Sequence, residues 1–422
     1  MKHVIIGNGP AGVVAAETLR RVDPGSQIEL IGEEESPPYS RMAIPYLLMG
    51  AIDEAGTHLR KDPAHFERLG IRLVRGRVEA INAGAKRLRF ADGTQGAYDR
   101  LLIATGSHPI RPPVPGVDTP GVHACWTLED ARHIAAAARR GGRVVQIGAG
   151  FIGCIVLEAL ASRGLEITVV EMGSRMVPRM MTEGASALIR KWCEAKGVEV
   201  RTRARVEAIR SRGAALEVKL STGGTVAADL VICAAGVAPN IAFLNGSGIA
   251  TGRGVLVDER MQASVAGVYA AGDVAEAVDF NTGERTLNAI QPNAVEQGRI
   301  AALNMAGRDA SSQGALAINV LDTLGLISSS FGRWAGVAGG DSAEALDERA
   351  WRYLSLQFGG DVLIGATAIG HTEHIGVLRG LIQGRTPLGH WKGELLRDPT
   401  RIMQAWLSRS QAQDIRMVPR AR

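Results

Sequence analysis

Gly7-Asn8-Gly9-Pro10-Ala11-Gly12 closes an apolar run at residues 2–6 and opens a helical pattern in which Val13, Val14, Ala16 and Leu19 recur on one face. A second apolar run follows at residues 27–31, and Glu33 stands 21 residues past Gly12. Strand, glycine turn, helix, strand and acid, in that order, form the βαβ setting in which G-x-G-x-x-G has a physical meaning. The first glycine makes the turn, the second lets the backbone approach a pyrophosphate, and the third packs the helix closely on the strand. The helix N-terminus then favours the phosphate charge. Gly7, Gly9, Pro10, Ala11 and Gly12 are therefore candidate dinucleotide-binding residues, with Glu33 as the acid for ribose hydroxyls. A turn that merely needs glycines leaves Glu33 unexplained.

The same unit recurs at residues 143–147, where an apolar run enters Gly148-Ala149-Gly150-Phe151-Ile152-Gly153. Ile155, Val156, Leu157 and Leu160 begin the helix, residues 167–170 form the next strand, and Glu171 follows 18 residues past Gly153. An acid there hydrogen-bonds an adenosine ribose and repels a 2′-phosphate, which favours NAD(H) over NADP(H). Arg175 and Arg179 lie close enough in the chain to soften that preference. A third motif, Gly267-Val268-Tyr269-Ala270-Ala271-Gly272-Asp273, is a strand ending in a Gly-Asp turn. An Asp in that place accepts hydrogen bonds from a ribityl chain, and Gly272 admits the cofactor beside the backbone. Two dinucleotide units in one chain are economically explained if one holds a flavin and the other delivers hydride to it.

With these motifs in this order, the chain resembles the two-dinucleotide-domain flavoprotein oxidoreductases. That family includes NADH:ferredoxin and rubredoxin reductases, NADH oxidases, coenzyme A disulfide reductase and the flavin part of nitrite reductase. The resemblance is strong over about residues 1–310 and looser beyond. Supporting segments are Ala104-Thr105-Gly106-Ser107, Ala234-Ala235-Gly236-Val237-Ala238-Pro239-Asn240 and Ala294-Val295-Glu296-Gln297-Gly298. In the family these line the FAD crossover, close the NAD domain and approach the flavin ring. Pro38-Tyr39-Ser40-Arg41 resembles an element whose arginine contacts FAD, and Val78 matches a position whose backbone meets the adenine. The resemblance thus implies FAD on Gly7, Gly9, Pro10, Ala11, Gly12, Glu33, Arg41, Val78, Thr105, Gly106, Gly272 and Asp273. It implies NAD(H) on Gly148, Gly150, Phe151, Ile152, Gly153, Glu171 and Gly236.

The implied fold class is α/β: two Rossmann-like domains of the glutathione-reductase type and a C-terminal α+β domain. Residues 1–112 and 241–313 would form the FAD domain, 113–240 the NAD domain, and 314–422 a domain covering the flavin or forming an interface. Within that last part, Leu354, Leu356 and Phe358 alternate with polar neighbours and Gly359-Gly360-Asp361 turns into residues 362–369, which predicts a hairpin. Residues 395–406 read as a helix interrupted near Asp398-Pro399. The charge-rich stretch 341–349 reads as a surface loop or short helix, and the sparse basic segment 409–422 as a frayed tail.

Two departures from the family pattern bear on chemistry. Members acting on disulfides or peroxides carry a cysteine beside the flavin, where this chain has Met42 in Tyr39-Ser40-Arg41-Met42-Ala43-Ile44-Pro45-Tyr46. A thioether forms neither a thiolate nor a disulfide. The four cysteines, Cys125, Cys154, Cys193 and Cys233, lie elsewhere and form no C-x-x-C, so neither a thiol relay nor a zinc or iron–sulfur site is expected. Relatives that reduce ferredoxins also have a lysine near the flavin and a glutamate after the last fingerprint glycine; these read Tyr46 and Ile155 here. Losing both members of a charge pair is coherent, because either alone is a costly buried charge. Tyr46 and Ile155 are expected near the flavin and nicotinamide, with the flavin itself as the reacting group.

Composition fits such an enzyme. The 422 residues are 46% apolar and 22% charged, which excludes disordered and collagen-like chains, and the 52 glycines cluster at the ends of apolar runs. Net charge is only +5, with a pI of about 9.2 and no dense Lys/Arg tract, so no nucleic-acid partner is expected. No uncharged apolar stretch approaches a membrane span. The chain enters a strand at once, without a signal peptide pattern, and scattered cysteines suit a reducing compartment; a cytoplasmic protein is expected. His371-Thr372-Glu373-His374 lacks the helical i, i+4 spacing of a metal pair and reads as a turn. The expected activity is electron transfer from NADH through FAD to an iron–sulfur carrier such as a ferredoxin or rubredoxin, by a monomer or homodimer. The alternatives are an NADH oxidase or diaphorase acting on oxygen, quinone or a small acceptor, and a flavin subunit of a larger oxidoreductase or a regulatory flavoprotein.

Overall fold

A computed structural model describes residues 1–213 and 215–417. They fall into two compact units, one of residues 1–110, 126–132 and 237–315, the other of residues 111–125, 133–236 and 316 onward. The fold is α/β, with a parallel sheet at the centre of each unit.

In the first unit the strand order is Val268–Ala270, Arg100–Ile103, Lys2–Ile6, Gln27–Gly32, Ile71–Arg75. Lys2–Ile6 pairs in parallel with its neighbours on both sides, Val4 standing opposite Glu29 and Leu101. Central strands of a parallel sheet are covered on both faces, hence the near-continuous apolar runs, and Ile5, Ile31, Leu101, Leu102 and Ile103 are fully buried. Helix Pro10–Val22 starts on Pro10, whose missing N–H costs nothing in a first turn. It lies against helix Gln291–Met305 so tightly that a Cβ on Gly298 would meet the Ala11 carbonyl oxygen at 2.4 Å. An antiparallel ribbon, Val78–Asn82, Arg87–Phe90 and Gln95–Ala97, precedes the strand Arg100–Ile103.

The second unit repeats this plan. Its sheet runs Glu199–Thr202, Glu166–Glu171, Arg143–Ile147, Leu230–Cys233, Val122–Ala124, all parallel. Its own antiparallel ribbon, Val206–Arg212, Ala215–Leu220 and Thr225–Ala228, precedes Leu230–Cys233. Even the register shift in the first ribbon strand recurs, between Val78 and Ala80 in one unit and between Val206 and Ala208 in the other.

From Leu316 the second unit continues into an antiparallel sheet ordered Ile318–Thr323, Leu326–Gly332, Val362–Ile369, Arg352–Gly359, Asp341–Asp347. The hairpin expected around Gly359-Gly360-Asp361 is there. Helix Glu183–Ala195 meets this sheet: the Tyr353 and Thr182 hydroxyls lie 2.6 Å apart, and the Trp192 indole donates to the Thr323 carbonyl at 3.0 Å. The helical stretch near the C-terminus is interrupted as expected. Helix His390–Arg397 ends before Asp398, whose side chain accepts from the Thr400 N–H at 3.0 Å, and helix Ile402–Met417 follows.

Two expectations are corrected. The stretch 341–349 is largely strand, Asp341–Asp347, and the three carboxylates of that strand have partners: Asp341 pairs with Lys392 at 2.6 Å, Glu344 accepts from the Tyr353 hydroxyl at 2.6 Å, and Asp347 accepts from the Arg349 N–H at 3.0 Å. Charges also suit a sheet edge. The basic segment 409–422 is helical through Met417, and its last five residues lie outside the described residues.

Candidate functional site

Gly7 and Gly148 occupy one conformation, at φ +110° and +100°. A Cβ would meet the Ala104 carbonyl oxygen at 2.1 Å on the first and the Ala234 carbonyl oxygen at 2.5 Å on the second. Both the left-handed region and the close approach demand glycine. Gly12 and Gly153 press on the same turns: a Cβ would meet the Gly7 oxygen at 1.9 Å on the first and the Gly148 oxygen at 2.5 Å on the second. The Gly7 N–H donates to the Ile31 carbonyl at 2.8 Å, and the Gly148 N–H to the Val170 carbonyl at 2.8 Å.

The middle glycines differ from these. Nothing lies within 4 Å of the Cβ direction of Gly9 or Gly150, and both have extended backbones at φ −74° and −78°. They are needed neither for the turn nor for packing, so the requirement they meet lies in the space in front of them, at a helix N-terminus where an anion is favoured. This is the arrangement a pyrophosphate fits.

The two acids part company. Matching the bonds of Gly7 and Gly148 places Val170 level with Ile31, and therefore Glu171 level with Gly32 and Met172 level with Glu33. Glu33 is exposed at its strand end. Glu171 is buried, and its carboxylate accepts from the Ala149 N–H at 2.8 Å and the Gly173 N–H at 2.6 Å. The Ala149 carbonyl accepts in turn from Val177 at 2.7 Å. Val177 is a β-branched residue at φ +47°, a conformation such residues rarely adopt. In the first unit the level position, Gly32, is covered instead by the Asn8 amide, which a Cβ on Gly32 would meet at 2.2 Å.

Around the first turn, Asp273 accepts from the Ser107 hydroxyl at 2.7 Å, and the Gly272 N–H donates to Gln297 at 2.9 Å. Burial pushes the Asp273 carboxyl up; the Ser107 bond and the Arg41 charge push it back. Arg41 donates to Glu34 at 2.8 Å, and Glu34 also accepts from the Tyr39 hydroxyl at 2.6 Å. Thr105 and Gly106 are bound through Asn240, which donates to the Thr105 carbonyl at 2.7 Å and, from its backbone, to the Gly106 carbonyl at 3.0 Å. Gly106 stands at φ +65°. Val78 is buried at the start of its ribbon.

Met42 and Tyr46 are exposed on the short helical segment after Arg41. In the second unit, Phe151, Ile152 and Ile155 line the half-buried side of helix Phe151–Ser162, and Gly236 stands at φ +107°. All four cysteines belong to the second unit. Burial pushes three of the thiols up, that of Cys193 to about 12 and that of Cys233 to about 11, with Cys154 higher still. Among the described residues no group of His, Cys, Asp and Glu is arranged to hold a metal, and no helix is long and apolar enough to cross a membrane. Missed from the sequence were the Ser107–Asp273 bond, the Gln297–Gly272 bond and the Val177 support, each joining residues far apart in the chain or set by local backbone.

Residues 1–298 match the family model for pyridine nucleotide-disulphide oxidoreductases, and the chain belongs to that family. It is an oxidoreductase that uses FAD and NAD(H). It is 31% identical over 412 residues to the epsilon subunit of an NADH-dependent phenylglyoxylate dehydrogenase from Aromatoleum evansii, covering 97% of this chain and 98% of that one. An NADH oxidase from Methanocaldococcus jannaschii is 34% identical over 74% of this chain and 71% of its own length. Among solved structures, the ferredoxin reductase for the CYP199A2 system from Rhodopseudomonas palustris superposes with a TM-score of 0.83 at 27% identity, covering 90% of this chain and 93% of that one.

Proposed function

We propose that the chain takes electrons from NADH through FAD to a one-electron iron–sulfur carrier protein, with no thiol relay. The observation that carries this is the matched pair of glycine turns, each with an open middle glycine at a helix N-terminus. FAD would lie on Gly7, Gly9, Pro10, Ala11 and Gly12, with Glu33 toward a ribose, Arg41 toward the diphosphate, Asp273 toward the ribityl hydroxyls, and Val78, Thr105, Gly106 and Gly272 supplying backbone. NAD(H) would lie on Gly148, Gly150, Phe151, Ile152 and Gly153, with Glu171 and Gly236 alongside. Bound flavin supplies acceptance of a hydride and release of single electrons; the chain's residues bind and orient the two ligands. The absence of cysteine from the first unit supports an external acceptor.

The test is anaerobic rapid mixing of the purified flavoprotein with NADH. The flavin band is expected to bleach within seconds, and a band that persists removes the proposal. Turnover on oxygen compared with turnover on a panel of ferredoxins separates a carrier reductase from an oxidase.

One observation favours a second reading, a flavin subunit of a larger oxidoreductase. Similarity to the dehydrogenase subunit runs the length of both chains, whereas similarity to the NADH oxidase covers 74% of this one. A subunit of that kind would co-purify with a partner and be reduced poorly by NADH when isolated.

A further inference from the structure

Trp126 belongs to no nucleotide motif, yet it joins two groups of the first turn's surroundings. It lies in the stretch 126–132 that belongs to the first unit. Its indole N–H donates to the Ser107 carbonyl at 3.0 Å, and the Ser107 hydroxyl donates to Asp273 at 2.7 Å. On its ring face the Arg41 guanidinium sits 5.2 Å from the centroid, and Arg41 Nη1 also donates to the Trp126 carbonyl at 3.2 Å. A guanidinium over an indole face is attracted by the ring quadrupole, more strongly away from water.

The backbone that carries the indole is itself held. Asp130 accepts from the backbone N–H groups of Trp126 at 3.0 Å and Thr127 at 2.9 Å, and the Leu128 backbone N–H donates to the Tyr39 hydroxyl at 3.3 Å. Tyr39 and Arg41 both donate to Glu34, so the ring of contacts closes on itself. Arg41 spends only part of its five donors on these bonds, leaving others for an anionic ligand.

We propose that Trp126 is a positioning residue of the flavin site, whose indole presets Arg41 by its face and Asp273, through Ser107, by its N–H. The role rests on the assignment of FAD to the first unit. Arg41 and Asp273 then present one cation and one carboxylate to the same molecule in fixed places, and the ordering cost is met before binding. Burial raises the Asp273 carboxyl overall, and the Ser107 bond and the Arg41 charge offset part of that rise.

The test measures FAD affinity of the full-length protein, stripped and reloaded, for wild type, Trp126→Ala, Trp126→Phe, Arg41→Gln and the Trp126→Ala/Arg41→Gln double variant. Trp126→Ala is expected to weaken FAD binding about 10–100-fold. Trp126→Phe keeps a ring face and loses the indole donor, and is expected to lose about 3–10-fold. The double variant is expected to lose much less than the product of the two single losses, because both act through one contact. Wild-type tryptophan emission minus that of Trp126→Phe isolates the Trp126 signal, which FAD is expected to quench almost completely. Unchanged affinity in folded Trp126→Ala or Trp126→Phe, multiplicative losses, or a Trp126 signal indifferent to FAD would each overturn the proposal. Failure of the wild type to take up FAD removes the assignment itself, and shows in the wild type alone.

Discussion

The two glycine turns are nearly the same object built twice, and they are supported in opposite ways. In the second, both backbone groups of Ala149 are held, the N–H by buried Glu171 and the carbonyl by Val177 at φ +47°. In the first, Asn8 packs over Gly32, while Glu33 stays exposed. Glu171, inside the second unit, does mechanical duty, whereas Glu33, exposed on the first, is left for the ribose we propose it binds. The same acid at a similar distance past the last glycine therefore carries different obligations.

The middle glycines offer the sharpest test of the duplication. Gly9→Val and Gly150→Val place side chains in open space on extended backbone, so both variants are expected to fold. Gly9→Val should emerge without flavin. Gly150→Val should stay yellow but be reduced by NADH about 100-fold more slowly or worse, since a displacement of roughly 1 Å costs that much. Absorbance of the purified proteins and stopped-flow reduction check the pair.

The acids should separate next. Glu171→Ala leaves the Ala149 and Gly173 N–H groups without their partner, each at a cost of about 1–3 kcal/mol. Melting several degrees lower is expected, with KM for NADH raised about tenfold. Glu33→Ala should leave the melting temperature unchanged while weakening FAD about 3–10-fold. Equal melting shifts for both would break the contrast.

A smaller effect concerns Asp273. Burial raises its carboxyl in the folded, flavin-free protein, so the folded state holds the proton more tightly than the unfolded chain does. The group therefore costs stability as pH rises above the ordinary carboxylate range and through its raised pKa. Flavin-free Asp273→Asn should melt higher than wild type at pH 7, on the order of 1–2 °C, and the difference should close below about pH 4. Melting curves over a pH series decide it. Least of all should change with iodoacetamide near neutral pH in a Cys125→Ser background: the Cys154, Cys193 and Cys233 thiols, raised by burial, stay protonated, and flavin reduction by NADH is expected to vary less than about twofold.

Much of the fold is legible because steric necessity writes it. Gly7, Gly12, Gly148 and Gly153 admit no other residue, and continuous apolar strands between them announce covered parallel sheets. The hairpin at Gly359-Gly360-Asp361 and the break at Asp398-Pro399 are legible for the same local reasons. What stays hidden depends on partners. Glu33 and Glu171 look alike until strand register sets them one position apart. Asp341–Asp347 looks like loop until Lys392, Tyr353 and the turn at Arg349 take up its charges. Ser107, Trp126 and Asp273 come from three separate stretches, and no spacing rule joins them.

The edge strand Asp341–Asp347 has a consequence for how the molecule behaves in company. A bare strand invites a neighbour's backbone to zip alongside it, the first step toward fibrils. Here the five-stranded sheet carries carboxylates at the very rim where any newcomer would have to dock, which disfavours such a pairing.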